Sequence, residues 1–147
     1  MKLNYLCICT LFGVIFSFSF ALDRSTAQDE TGSFGAEKKE QLVFSEAYMC
    51  ERVVEQMPYN PTVIFSPEMK NVYCFTAFGV VPKKNIIWHI WFRKDKLVTK
   101  VKLGVEPPQW NTYSGIHIRE SDKGPWRVEI RDHNDKLMGV KRFSISN

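Results

Sequence analysis

The chain has 147 residues, room for one domain with extensions rather than two domains. Eleven Phe, five Tyr and four Trp are enough large rings to build an aromatic-rich core. The formal charge of +4 is only mildly basic and excludes a dedicated nucleic-acid binder, so nucleic acid is not an expected partner.

Lys2 precedes an uncharged run from Leu6 to Phe20 that ends in Ser19, Phe20 and Ala21. This is the layout of a secretory signal peptide over residues 1–21, cleaved after Ala21. The run is short for a membrane span, which needs about 20 apolar residues, and an uncleaved N-terminal anchor is the alternative. On either reading the rest of the chain is expected outside the cytoplasm, periplasmic or secreted. Cys7 and Cys9 fall inside the apolar run. Cys50 and Cys74 remain, and an even pair in an exported domain predicts a disulfide. Closing that loop would stabilise the fold by roughly 3 to 4 kcal/mol. Two thiols without neighbouring ligands fall short of a four-ligand metal set, so no metal and no cofactor are expected.

Residues 22–44 are polar, rich in charge and in small side chains, and read as a flexible spacer. A short helix over 36–43 is the alternative there, marginal at that length without packing. From residue 45 to 147 the pattern becomes short β-branched and aromatic runs separated by turn residues. Tyr48 to Val54 is the first predicted strand, and MPYNP, with two prolines, predicts an irregular connection. Thr62 to Phe65 reads as a short edge piece. Asn71 to Phe78 is apolar on both faces, which suits a central strand. Ile86 to Arg93 (IIWHIWFR) and Lys96 to Leu103 are separated by Lys94 and Asp95, which is hairpin spacing, although a tight primed turn prefers glycine and a longer loop is the alternative. Trp110 to Ile118, Trp126 to Arg131 and Leu137 to Ile145 complete the set. The alternation of Trp126, Val128 and Ile130 against Arg127, Glu129 and Arg131 is the clearest period of two. Together these predict an all-β domain, a two-layer antiparallel sandwich of immunoglobulin-like type with about seven strands. A small barrel is the runner-up.

Three ordered motifs stand out. They are I-x-x-H-x-W-F at Ile86, His89, Trp91 and Phe92; W-x-T-Y-S at Trp110, Thr112, Tyr113 and Ser114; and G-x-W-x-V-E-I at Gly124, Trp126, Val128, Glu129 and Ile130. With the VYCFT segment, they make residues 48–147 resemble the DUF2914 family of uncharacterised bacterial domains. The chain departs from the family pattern at Asn111, where Arg is common, and at DHNDK, where a turn glycine is common. The resemblance implies a mostly β domain, often in exported or membrane-linked proteins, and no particular activity.

Strand parity divides the IIWHIWFR run. Ile87, His89 and Trp91 share one face, expected inside; Trp88, Ile90 and Phe92 share the other. His89 is expected to be partly buried and bonded to Ser114 or Tyr113, because a buried polar group needs a partner. The outer apolar row demands either cover, for which MPYNPTVIF wrapping over the sheet is the candidate, or a partner. Lys83, Lys84, Arg93, Lys94, Lys96, Lys100 and Lys102 surround that hairpin. The expected function is a non-catalytic interaction module that binds a protein or cell-envelope component through Trp88, Ile90, Phe92, Lys100 and Lys102. Membrane contact is compatible with this pattern and not required by it. The alternatives are a hydrolase-like envelope enzyme using His89 with Ser114 or Tyr113, and a carbohydrate-binding module. Ser114, His89 and Asp132 can be written as a triad, but the sequence has no nucleophile elbow or glycine-rich oxyanion turn, no paired carboxylates suited to glycoside chemistry and no phosphate loop, EF-hand or zinc signature.

Overall fold

A computed structural model describes residues 41–147. The expected signal peptide with Cys7 and Cys9, and the spacer as far as residue 40, lie outside the described residues.

Nine strands follow one another: β1 (Val43–Val54), β2 (Met57–Pro61), β3 (Ile64–Phe65), β4 (Asn71–Val80), β5 (Asn85–Arg93), β6 (Lys96–Val105), β7 (Trp110–His117), β8 (Gly124–Asp132) and β9 (Leu137–Ile145). One sheet has the order β2-β1-β4-β7 and the other β3-β9-β8-β5-β6. Every pairing is antiparallel except that of β3 with β9, which is parallel. The all-β sandwich is therefore as the periodicities predict, with nine strands in place of about seven. Its order is immunoglobulin-like: β1, β4 and β7 correspond to strands A, B and E, and β5, β8 and β9 to C, F and G, with β6 beside C. No helix among the described residues is long and apolar enough to cross a membrane.

Two local expectations change. MPYNP is a strand rather than an irregular connection, because β2 lies at a sheet edge, where proline removes no central ladder bond. Lys94 and Asp95 form a tight two-residue turn with Arg93 opposite Lys96. Both residues take positive φ, 44° and 63°, the geometry of a primed hairpin turn, without glycine. The β1–β2 hairpin does the same at Glu55 and Gln56, with φ of 49° and 61°.

The core lies between the sheets. Ile87 and Trp91 of β5, Val128 and Ile130 of β8 and Val72 and Cys74 of β4 are all fully buried. Phe143 of β9 ties the rings together, edge-on to Trp91 at 6.1 Å and to Phe65 at 5.6 Å and stacked on Trp126 at 5.9 Å. Burying a phenylalanine of this kind contributes up to about 3 kcal/mol. The tryptophan of the C-type strand is thus inside, as parity requires.

The expected disulfide is not formed; Cys50 and Cys74 are free and buried. Their register gives the reason. Met49 lies opposite Cys74, and Cys50 lies opposite Tyr73, so the two thiols leave opposite faces of the same sheet. A bridge would require the β carbons to face each other. Antibody domains pair a B-strand cysteine such as Cys74 with one on strand F, and β8 (GPWRVEIRD) has none.

Candidate functional site

Three groups of side chains carry the polar and aromatic chemistry of the domain. The first is internal. His89 of β5 is 0% exposed and bridges the sheets, its Nε2 2.9 Å from Thr76 Oγ1 of β4 and its Nδ1 2.9 Å from Ser114 Oγ of β7. Trp91 Nε1 donates to the same Ser114 oxygen at 3.1 Å. Burial drives the imidazole pKa down to about 3, so it is neutral near pH 7. A neutral imidazole has one donor and one acceptor, and each hydroxyl can do either, so the chain Thr76, His89, Ser114, Trp91 closes without an orphan ring nitrogen. The expected bond from His89 to Ser114 is present. Tyr113 faces the other way and is exposed, so the alternative partner is not brought to His89. Asp132 lies in β8 opposite Ile87, two register positions from His89's partner Ile130. Recesses of about 330, 390 and 660 Å³ open on the surface, and neither His89 nor Ser114 lines any of them.

The second group is the outer face of the β3-β9-β8-β5-β6 sheet. Trp88 and Phe92 are half-buried and Ile90 is 7% exposed, so the row is covered. The cover is not MPYNPTVIF, which supplies β2 of the other sheet and edge strand β3. It comes from the strands on either side. Ile90 lies between Lys100 of β6 and Glu129 of β8, and Trp88 between Lys102 and Arg131. Lys100 Nζ sits 4.4 Å from the Trp88 ring centre, and the Arg127 guanidinium 4.0 Å from that of Phe92. Long charged side chains thus lay their stems and charges on the rings while the rims stay in water.

Glu129 organises this cover. Arg131 reaches it at 2.8 and 3.0 Å and Arg127 at 3.2 Å. Burial would raise its carboxyl pKa, but the hydrogen bonds and charges of the two arginines prevail and hold it below the usual value. Arg127 also pairs with Asp95, and Arg131 with Asp135 at 3.4 Å. Among the described residues, Lys100, Lys102 and Arg142 have no carboxylate at ion-pair distance. At the Phe92 end the face dips into the recess of about 330 Å³, walled by Phe92, Pro125, Lys94, Asp95, Arg127 and Arg142.

The third group was not singled out by sequence reasoning. On the outer face of the β2-β1-β4-β7 sheet, Tyr48, Phe75 and Tyr113 stand side by side, with Cys50, Tyr73 and Gly115 in a neighbouring row. Phe75 and Cys50 are buried beneath, while Tyr48 and Tyr113 are 37% and 42% exposed. Tyr73 meets Tyr113 edge-on at 6.2 Å and leans over Gly115, where an added Cβ would lie 2.6 Å from its ring. Arg52 covers Tyr59 at 3.9 Å. The signal was present in NVYCFTAF, whose second face, Tyr73, Phe75 and Ala77, is as apolar as its first. Burial pushes the Cys50 thiol up to about 11 and the Cys74 thiol up to about 12, so neither is a ready nucleophile near pH 7. Among the described residues no three His, Cys, Asp or Glu gather into a metal-holding group.

No curated protein matches the chain. A crystal structure of beta-D-glucoside glucohydrolase from Trichoderma reesei is similar to 74% of the chain at 12% identity and a TM-score of 0.37. The chain spans 19% of that structure's length. A family described as "Protein of unknown function (DUF2914)" matches residues 84–145, from the start of β5 to the end of β9. The IxxHxWF, WxTYS and GxWxVEI motifs all fall within those bounds, and over residues 84–145 the chain matches the DUF2914 family that they indicate.

Proposed function

We propose that the domain is a non-catalytic binding module of an exported protein, and that it docks an anionic protein or cell-envelope component on the outer face of the β3-β9-β8-β5-β6 sheet. One observation carries the reading. The strands of this face project five cations, Lys100, Lys102, Arg127, Arg131 and Arg142, against one carboxylate, Glu129. Asp95 and Asp135 at the rims engage Arg127 and Arg131 and leave the other three cations free among the described residues. Trp88, Ile90 and Phe92 then serve as the floor that spaces the cations, and Lys100, Lys102 and Arg142 as the contacts. Clustered like charge on one face attracts an oppositely charged partner and falls in strength with added salt.

The absence of a catalytic role rests on His89, sealed from solvent with its ring nitrogens engaged, away from any recess described above. A general base must reach the proton it abstracts.

Retention of the full chain on an immobilised polyanion at low salt tests the reading. Retention is expected for the parent chain and for a Tyr48→Ala/Tyr113→Ala variant. It is expected to be lost in Lys100→Gln/Lys102→Gln/Arg142→Gln. Retention of that triple variant at parent strength would reject the assignment of the face.

A further inference from the structure

The recess at the Phe92 end of this face has a chemistry of its own. Arg127 is already committed there: its guanidinium lies on the Phe92 ring, its Nε bonds Glu129 and its Nη1 holds Asp95. It is a fixed wall, and one on which a carboxylate, that of Asp95, already sits. Arg142, directly across the ladder on β9, is exposed and has no carboxylate partner among the described residues. Lys94, in the β5–β6 turn, has none either. Two free cations therefore border a hollow with apolar surface from Phe92 and Pro125.

We propose that this hollow is a subsite for one carboxylate-bearing sugar unit of an acidic polysaccharide. Arg142 and Lys94 hold the carboxylate, while Phe92 and Pro125 meet the C–H face of the ring. The assignment rests on the proposed anionic partner of the face and names its chemical class. Size and shape support it. At about 330 Å³ the recess is at the small end of ligand sites, room for a single compact unit. A bilayer surface is broad and does not enter a hollow. Beyond the recess, Lys100 and Lys102 continue the positive charge on β6, two strands from Arg127. Neighbouring strands are about 4.8 Å apart, so a linear polymer with one unit in the recess brings its next charges towards those lysines.

The test uses the full chain and a defined oligogalacturonate, with the single uronic acid (monomeric galacturonate), a neutral dextrin of equal length, inorganic phosphate and phosphatidylglycerol vesicles as separate arms. Binding is read by calorimetry, and site by amide and indole chemical shifts. The oligouronide is expected to bind and the dextrin not, with the largest shifts at Arg142, Lys94 and the indole of Trp126, which also lines the recess. Arg142→Gln/Lys94→Gln should weaken binding at least about tenfold, the worth of one charged hydrogen bond. Lys100→Gln/Lys102→Gln should weaken it about threefold for the oligomer, and not at all for the single uronic acid. All four substituted positions are solvent-facing, and unchanged thermal unfolding checks that the fold is intact.

If the recess variant binds the oligomer like the parent while the lysine variant does not, the subsite is wrong and the face stands. If neither variant loses binding, both assignments fall. Binding to vesicles without binding to the oligouronide overturns the sugar assignment in favour of a lipid surface. Phosphate competing as well as the single uronic acid reduces the recess to a non-selective anion site and also overturns it.

Discussion

The two outer faces of this sandwich are both floored by aromatic rings, yet they present opposite surfaces to water. On the β5 side, Trp88 and Phe92 are overlaid by Lys100 and Arg127, and the face is charged. On the β4 side, Tyr48 and Tyr113 are 37% and 42% exposed around Phe75, and the charged groups among the described residues are few: Glu46, bonded by the Tyr48 hydroxyl, Lys141, 5.8 Å from the Tyr48 ring centre, and Arg52, over Tyr59. The difference lies in the cross-strand partners. Trp88 faces Lys102 and Arg131, whereas Phe75 faces Tyr48 and Tyr113. An aromatic row in one strand therefore says little about its exposure until the flanking strands are known.

The sharpest way to break the comparison is to remove the link both faces hang from. His89→Ala would leave a cavity and two buried hydroxyls, Thr76 and Ser114, without their partner. We expect a loss of about 3 to 5 kcal/mol in urea unfolding, with both faces lost together. A loss under about 1 kcal/mol would show that the sheets do not depend on this bridge.

Acid should act through the same residue. The folded pKa of His89 is about 3 against an ordinary 6.5, so the unfolded chain binds the proton first. Its contribution is full above pH 6.5 and declines as pH falls towards 3. The slope should approach about 1.4 kcal/mol per pH unit in that window. Comparing the pH dependence of the parent and His89→Gln checks this, and equal slopes would contradict it.

Gly115→Ala addresses the tyrosine face alone. Its Cβ would meet the Tyr73 ring at 2.6 Å, so the ring must move. A cost of about 1 to 2 kcal/mol is expected, with altered Tyr113 ring shifts by NMR and no change in polyanion retention.

The smallest effect belongs to the charged face. Lys100→Met keeps the stem over Trp88 and removes the cation, and a change of only about 0.5 to 1 kcal/mol is expected. The Trp88 indole shift should move while the tyrosine resonances stay in place.

Parity within one strand was enough to place Ile87, His89 and Trp91 inside, because a period of two leaves few choices once one face is buried; it left the partner of His89 open between Ser114 and Tyr113, and the register of β7 decides for Ser114. The cover of Trp88 and Phe92 was written in pieces: Lys100 and Lys102 alternate outward on β6, and Arg127, Glu129 and Arg131 on β8. What joins them is the register of β5 against both neighbours, which no single strand encodes. The cysteines turn on the same quantity. A shift of one residue would have put Cys50 opposite Cys74, and the actual register sends them apart. The prolines of MPYNP signal a break only where a strand has neighbours on both sides; at the edge of the sheet they remove no central ladder bond, and edge position is not encoded in the segment itself.

The parallel contact of β3 with β9, Ile64 beside Ser144 and Phe65 beside Ile145, joins segments some eighty residues apart. Closing so long a loop costs entropy before the contact returns anything, and the β4–β7 and β5–β8 ladders also join distant segments. Contact order of this kind leads to an expected folding time of roughly milliseconds to seconds, the range of all-β sandwiches. The local hairpins β1–β2, β5–β6 and β8–β9 are then expected to form before Phe65 docks beside β9, an order that φ-values at Phe65 near zero would bear out and values near one would contradict.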